Sequence, residues 1–248
     1  ERLGPQMVPL RGRGYAKADI RIHAIDPLSR DFQAFPADGL TTEDDEAPVL
    51  PGNEPKRWTG KDEIASDAMA ARVKAMGSPA VSELVELPLQ RGGADAKFGL
   101  DLKPLLARIA GAGQAGTYLV GLRAVDESQR RWVRLQVTDL SLTAVEEAER
   151  VRFVVTSLAT ARPVDGAEIR LEGVKGDGYV ALARGTTTPD GGFNWLLATR
   201  AEAELRRIVV VKGTDTLVLE PDRGPSQYAQ ENWTKPEESW LGWTVDPK

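Results

Sequence analysis

His23 is the only histidine in the chain, and cysteine is absent. Those two counts bound most of the chemistry open to these 248 residues. Without a thiol there is no disulfide, no thiolate metal site and no cysteine nucleophile within the chain. A Ser-His-Asp triad would have to use His23, and a metal site built on two histidines cannot form. His23 shares its alternation with Arg21, while Ile20, Ile22 and Ala24 take the other side. The spacing predicts an exposed surface histidine with no chemical role.

Other patterns fail on context. Gly111-Ala112-Gly113-Gln114-Ala115-Gly116 matches G-x-G-x-x-G. That fingerprint cradles a pyrophosphate only when a strand precedes it and a helix follows. Here a helix-like segment precedes and Tyr118-Leu119-Val120 reads as strand, so a turn is expected. Glu43-Asp44-Asp45-Glu46 is an acidic run, expected to be a solvated loop. Asp177-Gly178 and Asp190-Gly191 lack the alternating ligand spacing of a calcium loop and read as turns. Acidic residues are numerous, so counting alone does not exclude a carboxylate pair for general acid–base work. Tyr228, Trp233, Trp240 and Trp243 in the tail are expected to anchor a linker to a neighbouring domain. No catalytic, cofactor-binding or metal-binding residue is assigned, and no cofactor is expected.

The elements that would position any site are mostly strands. Phe98, Leu100 and Leu102 alternate, as do Tyr118, Val120 and Leu122, and then Val133, Leu135 and Val137. Such alternation predicts antiparallel sheet with one face in a core and the other in water. From Leu140 the pattern tightens. Val151-Phe153-Val155 and Ala167-Ile169-Leu171 lead a series of about seven short strands in about 80 residues, the signature of a sandwich. Phe193 and Trp195 are expected to face its core, with Asn194 outward. Thr188-Pro189-Asp190-Gly191-Gly192 and Arg162-Pro163-Val164-Asp165-Gly166 place Pro and Gly as turns require.

Residues 38–80 break this rhythm. The spacing of Ile64, Ala65, Ala68, Met69, Val73 and Met76 predicts one amphipathic helix, ended by Gly77 and Pro79. Thr59 and Asp62 are expected to form its capping pair. Pro104 to Ala110 reads as a second helical turn.

Composition limits partners. Hydrophobic residues make up 41% and charged residues 28%, enough for a buried core in a soluble globular chain. The net charge of −5 argues against nucleic acid, whose binders carry a basic footprint. No apolar run approaches the ~18–20 residues needed to span a bilayer, so no direct membrane insertion is expected. The chain opens at Glu1 with no signal peptide and is expected to be a fragment of a longer protein.

Several stretches resemble the bacterial alpha-2-macroglobulin-like family. Arg2-Leu3-Gly4-Pro5 through Tyr15, with Ile20 to Leu28, resembles one of its early modules, and Met76 to Ser82 is similar locally. Ala115-Gly116-Thr117-Tyr118-Leu119-Val120 resembles the penultimate strand of such a module. Val137-Thr138-Asp139-Leu140-Ser141-Leu142 resembles the junction into the next. Pro163 to Ile169 and Gly185 to Phe193 resemble that next module's strand-turn-strand pattern. The resemblance covers nearly the whole chain. It implies a large periplasmic protein that traps proteases after cleavage of a bait segment, in some members with a Cys–Gln thioester. No thioester can lie here, no bait segment is recognisable, and no functional residue carries over.

The expected fold class is all-β: tandem immunoglobulin/fibronectin-III-like antiparallel sandwiches, the first with a helical insertion. The expected division is an N-terminal linker at 1–17, a first sandwich at 18–140 with its insertion at about 38–80, a second at 141–221, and a linker at 222–248. The expected role is a non-catalytic structural part of a protease-trapping endopeptidase inhibitor in the periplasm. Its partners would be other domains of the parent chain and, through the parent, target proteases. The residues leave two other readings open: an immunoglobulin-like adhesin or carbohydrate-binding array, and an accessory β-domain of a hydrolase.

Overall fold

The computed structural model describes residues 7–36, 39–44, 63–89, 96–111, 114–125, 127–176, 178–196 and 203–221. The tail aromatics Tyr228, Trp233, Trp240 and Trp243 lie outside them, as do Thr59 and Asp62.

The first half runs β1 (Met7–Gly12), β2 (Lys17–Ile25), β3 (Leu40–Glu43), α1 (Ser66–Met76), β4 (Val81–Glu86), β5 (Ala96–Asp101), α2 (Lys103–Ala110), β6 (Gly116–Ala124) and β7 (Gln129–Val137). Its main sheet has the order β3-β7-β6-β2-β4, and β1 pairs with β5 in a second, two-stranded sheet. Every pairing is antiparallel. Strand β1 falls within the stretch expected to be linker. Val8 is buried in the core of this half and Leu10 packs against it.

The alternation holds on one side of the main sheet. Ile20, Ile22, Tyr118, Val120 and Val137 face a core closed by Leu102, Leu105 and Leu106 at α2. The other side is not in water. Leu119 and Trp132 pack there against Phe32, Phe35, Ile64, Ala68 and Met69. The expectation of one wet face is therefore corrected: α1 and the turn after β2 form a lid over it. Ala24, expected inward, is exposed at the strand's end.

Helix α1 is the insertion between β3 and β4. It starts later than the expected capping pair, with Ala65 at the N-cap and no side-chain cap bond. Residues 63–65 are not helical, so burial of Ile64, Ala68 and Met69 sets the helix's position rather than a cap. Gly77 ends it with a positive φ of 74°, as expected.

The second half contains β8 (Leu140–Glu146), β9 (Arg150–Ser157), β10 (Glu168–Lys175), β11 (Gly178–Thr186), β12 (Gly192–Leu196), β13 (Glu204–Lys212) and β14 (Asp215–Leu219). A four-stranded sheet, β11-β10-β13-β14, faces a three-stranded one, β12-β9-β8. Between them lie Phe153, Val155, Ile169, Leu171, Trp195, Ile208 and Val210. Trp195 is 3% exposed, Phe193 packs against this core, and Asn194 is exposed. Gly191 closes the turn before β12 at φ 74°, and a Cβ there would lie 2.4 Å from the carbonyl oxygen of Val155. That position accepts only glycine.

Candidate functional site

Strands β2, β6 and β7, with the residue that follows β3, bring five charged side chains together on the lidded face of the main sheet. Arg130 is at the centre, its side chain fully buried. Its guanidinium donates to Asp44 through Nε and Nη2, at 2.8 and 2.7 Å. Nη2 also donates to Asp19 at 2.7 Å, and Nη1 donates to the carbonyls of Asp19 and Gly121 at 3.0 and 3.2 Å. Arg123 pairs with Asp19 and Asp44 at 3.3 and 3.1 Å, and Arg21 reaches the same two at 3.5 and 3.4 Å. Three guanidiniums thus share two carboxylates.

Burial works to raise the Asp44 pKa, but the hydrogen bonds and charge of Arg130, with Arg21 and Arg123 behind it, hold it below the usual carboxylate range. Burial likewise opposes the Arg130 charge, and Asp44 and Asp19 outweigh it. Asp44 and Arg130 thus each hold the other in its charged form. The cluster ties β2, β6 and β7 to the residue that follows β3 through charge-assisted hydrogen bonds.

Asp44 belongs to the acidic run expected to be a solvated loop. Its side chain is only 10% exposed, and guanidiniums occupy its oxygens. The reading of the run as solvated loop is corrected at Asp44, whose place is set by Arg130 across the sheet. Among the described residues no group of three or more His, Asp or Glu could hold a metal ion.

His23 sits beside this cluster and is 4% exposed, so the expectation of a surface histidine is also corrected. Its ring lies 5.9 Å from that of Trp132, under α1. The physical cause is the lid: an outward position on the sheet becomes an interior one. Burial, then Arg21 and Arg130, lower its pKa below the ordinary histidine value. Trp132 lies across Gly121, where a Cβ would meet the indole at 2.6 Å. Its Nε1 donates to the Thr42 hydroxyl at 2.9 Å.

The Gly-rich motif connects α2 to β6, the reverse of the order a dinucleotide site needs. Ala112 and Gly113 within it lie outside the described residues. Asp190 is a turn residue, bonded to the Thr188 hydroxyl and paired with Arg152 at 2.8 Å.

A second constellation joins the two sandwiches. The Gln136 side chain pairs with the backbone of β14, donating to Val218 O at 2.8 Å and accepting from Val218 N at 2.9 Å. Asp215 accepts from the Thr138 hydroxyl at 2.6 Å and from Asp139 N at 2.9 Å. Asp139 in turn accepts from Ser157 and Ala159 N, both at 2.8 Å. Arg207, 1% exposed, donates to the carbonyls of Pro27 and Leu28 in the turn after β2, each at 3.0 Å. Arg30 from that turn pairs with Glu172 at 3.0 Å and lies 4.5 Å from the centre of the Tyr179 ring. Arg134 pairs with Glu220 at 3.0 Å. Burial pulls the Arg207 pKa down, and Glu172 offsets only part of that.

The sequence reading missed both constellations. One signal was present: β7 places Arg130, Trp132, Arg134 and Gln136 on one side, and a Trp among charges on a supposedly wet face marks something covering it.

No family model matches this chain, and no curated protein matches it either. Solved structures are similar in fold. Native alpha-2-macroglobulin from Escherichia coli spanning domains MG0-NIE-MG1 superposes with a TM-score of 0.59 at 14% identity, over 89% of this chain and 59% of that one. A structure of the same protein spanning domains NIE-MG1 also gives 0.59, at 15% identity, over 87% of this chain and 88% of that one. At such identities the likeness is one of fold. This chain spans less than two thirds of the three-domain structure.

Proposed function

We propose that this chain is a pair of non-catalytic modules from a large bacterial macroglobulin-like protein, acting as a rigid strut within it. The two modules divide between Val137 and Leu140, and β1 belongs to the first. The observation that carries the reading is the hydrogen-bonded seam. A strut needs two cores held at one angle, and here a buried Arg, a bidentate Gln and a buried Asp all cross the junction. Domains joined only by a linker would move freely. The fold likeness to the NIE-MG1 pair supports the same arrangement. In this reading the parent protein is periplasmic and traps proteases, and the pair transmits a shape change begun elsewhere in it.

The test is functional. The purified chain is incubated with serine proteases and metalloproteases, and cleavage of a small peptide is compared with cleavage of a large protein. Neither rate is expected to change, because a strut encloses nothing. Stoichiometric shielding of the large substrate alone would place the trapping element in this chain and refute the strut reading.

A further inference from the structure

A cleft of about 530 Å³ opens between the C-terminal half of α1 and the main sheet, within the size range of small-molecule sites. His23 and Trp132 line it together with Arg21, Lys74, Glu43 and Asp44. His23 is buried and makes no hydrogen bond with any described residue. With no described protein partner, its ring nitrogens are left to hydrogen-bond with whatever occupies the cleft.

The charges around the cleft are unevenly committed. Asp44 accepts two bonds from Arg130, and Glu43 accepts from Gln129 at 2.8 Å. Arg21 reaches its carboxylates only at 3.4 and 3.5 Å. Lys74 is exposed and has no ion pair among the described residues. Lys74 is thus a cation without an ion pair among the described residues, and Arg21 is held only by its two long pairs; both stand beside an imidazole and an indole.

We propose that this cleft is a carboxylate-binding site. The carboxylate accepts from Lys74 and Arg21, the His23 ring supplies a further hydrogen bond, and the ligand's carbon frame rests against Trp132. The same chemistry is carried by a free organic acid and by the C-terminus of a peptide. The proposal goes beyond the strut reading and does not depend on it.

Because His23 is the only histidine, its ring signals form a single probe. The full chain, labelled with ¹⁵N-histidine, is titrated at constant ionic strength with benzoate, then with a short N-acetylated peptide as free acid and as amide. A saturable shift of the His23 ring signals with benzoate or with the free-acid peptide is expected, and none with the amide. Benzoate alone acting identifies a small-acid site, and the free-acid peptide acting identifies a C-terminus site. Lys74→Gln is expected to weaken binding at least about tenfold, one charge-assisted bond's worth. Its melting temperature is expected to be unchanged, since Lys74 is exposed. No saturable shift with either acid, an equal shift with the amide, or undiminished binding by Lys74→Gln would overturn the proposal.

Discussion

Replacing Arg207 with methionine removes the guanidinium that reaches from β13 into the turn after β2, while keeping most of the apolar stem. Two carbonyls, those of Pro27 and Leu28, lose a donor, and Glu172 loses one guanidinium while keeping its pair with Arg30. A hydrogen bond from a charged donor is worth about 1.5–3 kcal/mol, so the two together are worth about 3–6. Relief from burying the charge works the other way, and removal of one partner from a buried pair commonly nets about 3–5 kcal/mol. The expected loss is about 2–4 kcal/mol, a large share of the roughly 5–15 kcal/mol typical of a domain. Its form matters more than its size. If the seam couples the sandwiches, calorimetry of the native chain shows one transition, and Arg207→Met splits it into two. Gln136→Ala, which cuts the link to β14 from the opposite side, is expected to do the same. The double variant is expected to lose less than the sum, because an opened seam has little left to lose. A single transition in Arg207→Met, within about 0.5 kcal/mol of the native chain, would show that the contacts across the junction are incidental.

Trp195→Ala is expected to cost about 3–5 kcal/mol, and Asn194→Ser to stay within roughly 0.5 kcal/mol; thermal denaturation compares them, and the reverse order would mean that β12 is in the wrong register. His23 makes stability depend on pH. Its folded pKa lies below the unfolded 6.5, so between those values only the unfolded chain takes the proton. Stability is therefore full above about pH 6.5 and falls below it, by at most about 1.4 kcal/mol per pH unit. Urea denaturation between pH 7 and 5 measures the slope, which should flatten in His23→Asn; an equal slope in both would mean that His23 is not buried neutral.

Alternation, turn chemistry and the absence of cysteine were enough to read antiparallel strands, the register of β12, the turn at Gly191 and the two helices. These are local properties: side-chain direction has a period of two in a strand, and a positive φ selects glycine wherever it occurs. What alternation cannot say is what lies over each face. The same pattern that put Ile20 and Ile22 in one core also put His23, Arg130 and Trp132 on a face that reads as wet. Only packing of α1 and of Phe32 and Phe35 onto that face made it an interior. Arg207 was likewise an ordinary strand charge until folding brought it against two carbonyls some 180 residues away in sequence. Burial and charge pairing depend on neighbours distant in the chain, so the sequence by itself determined the strands, and the tertiary structure alone decided which charges became interior and which bonds join the sandwiches.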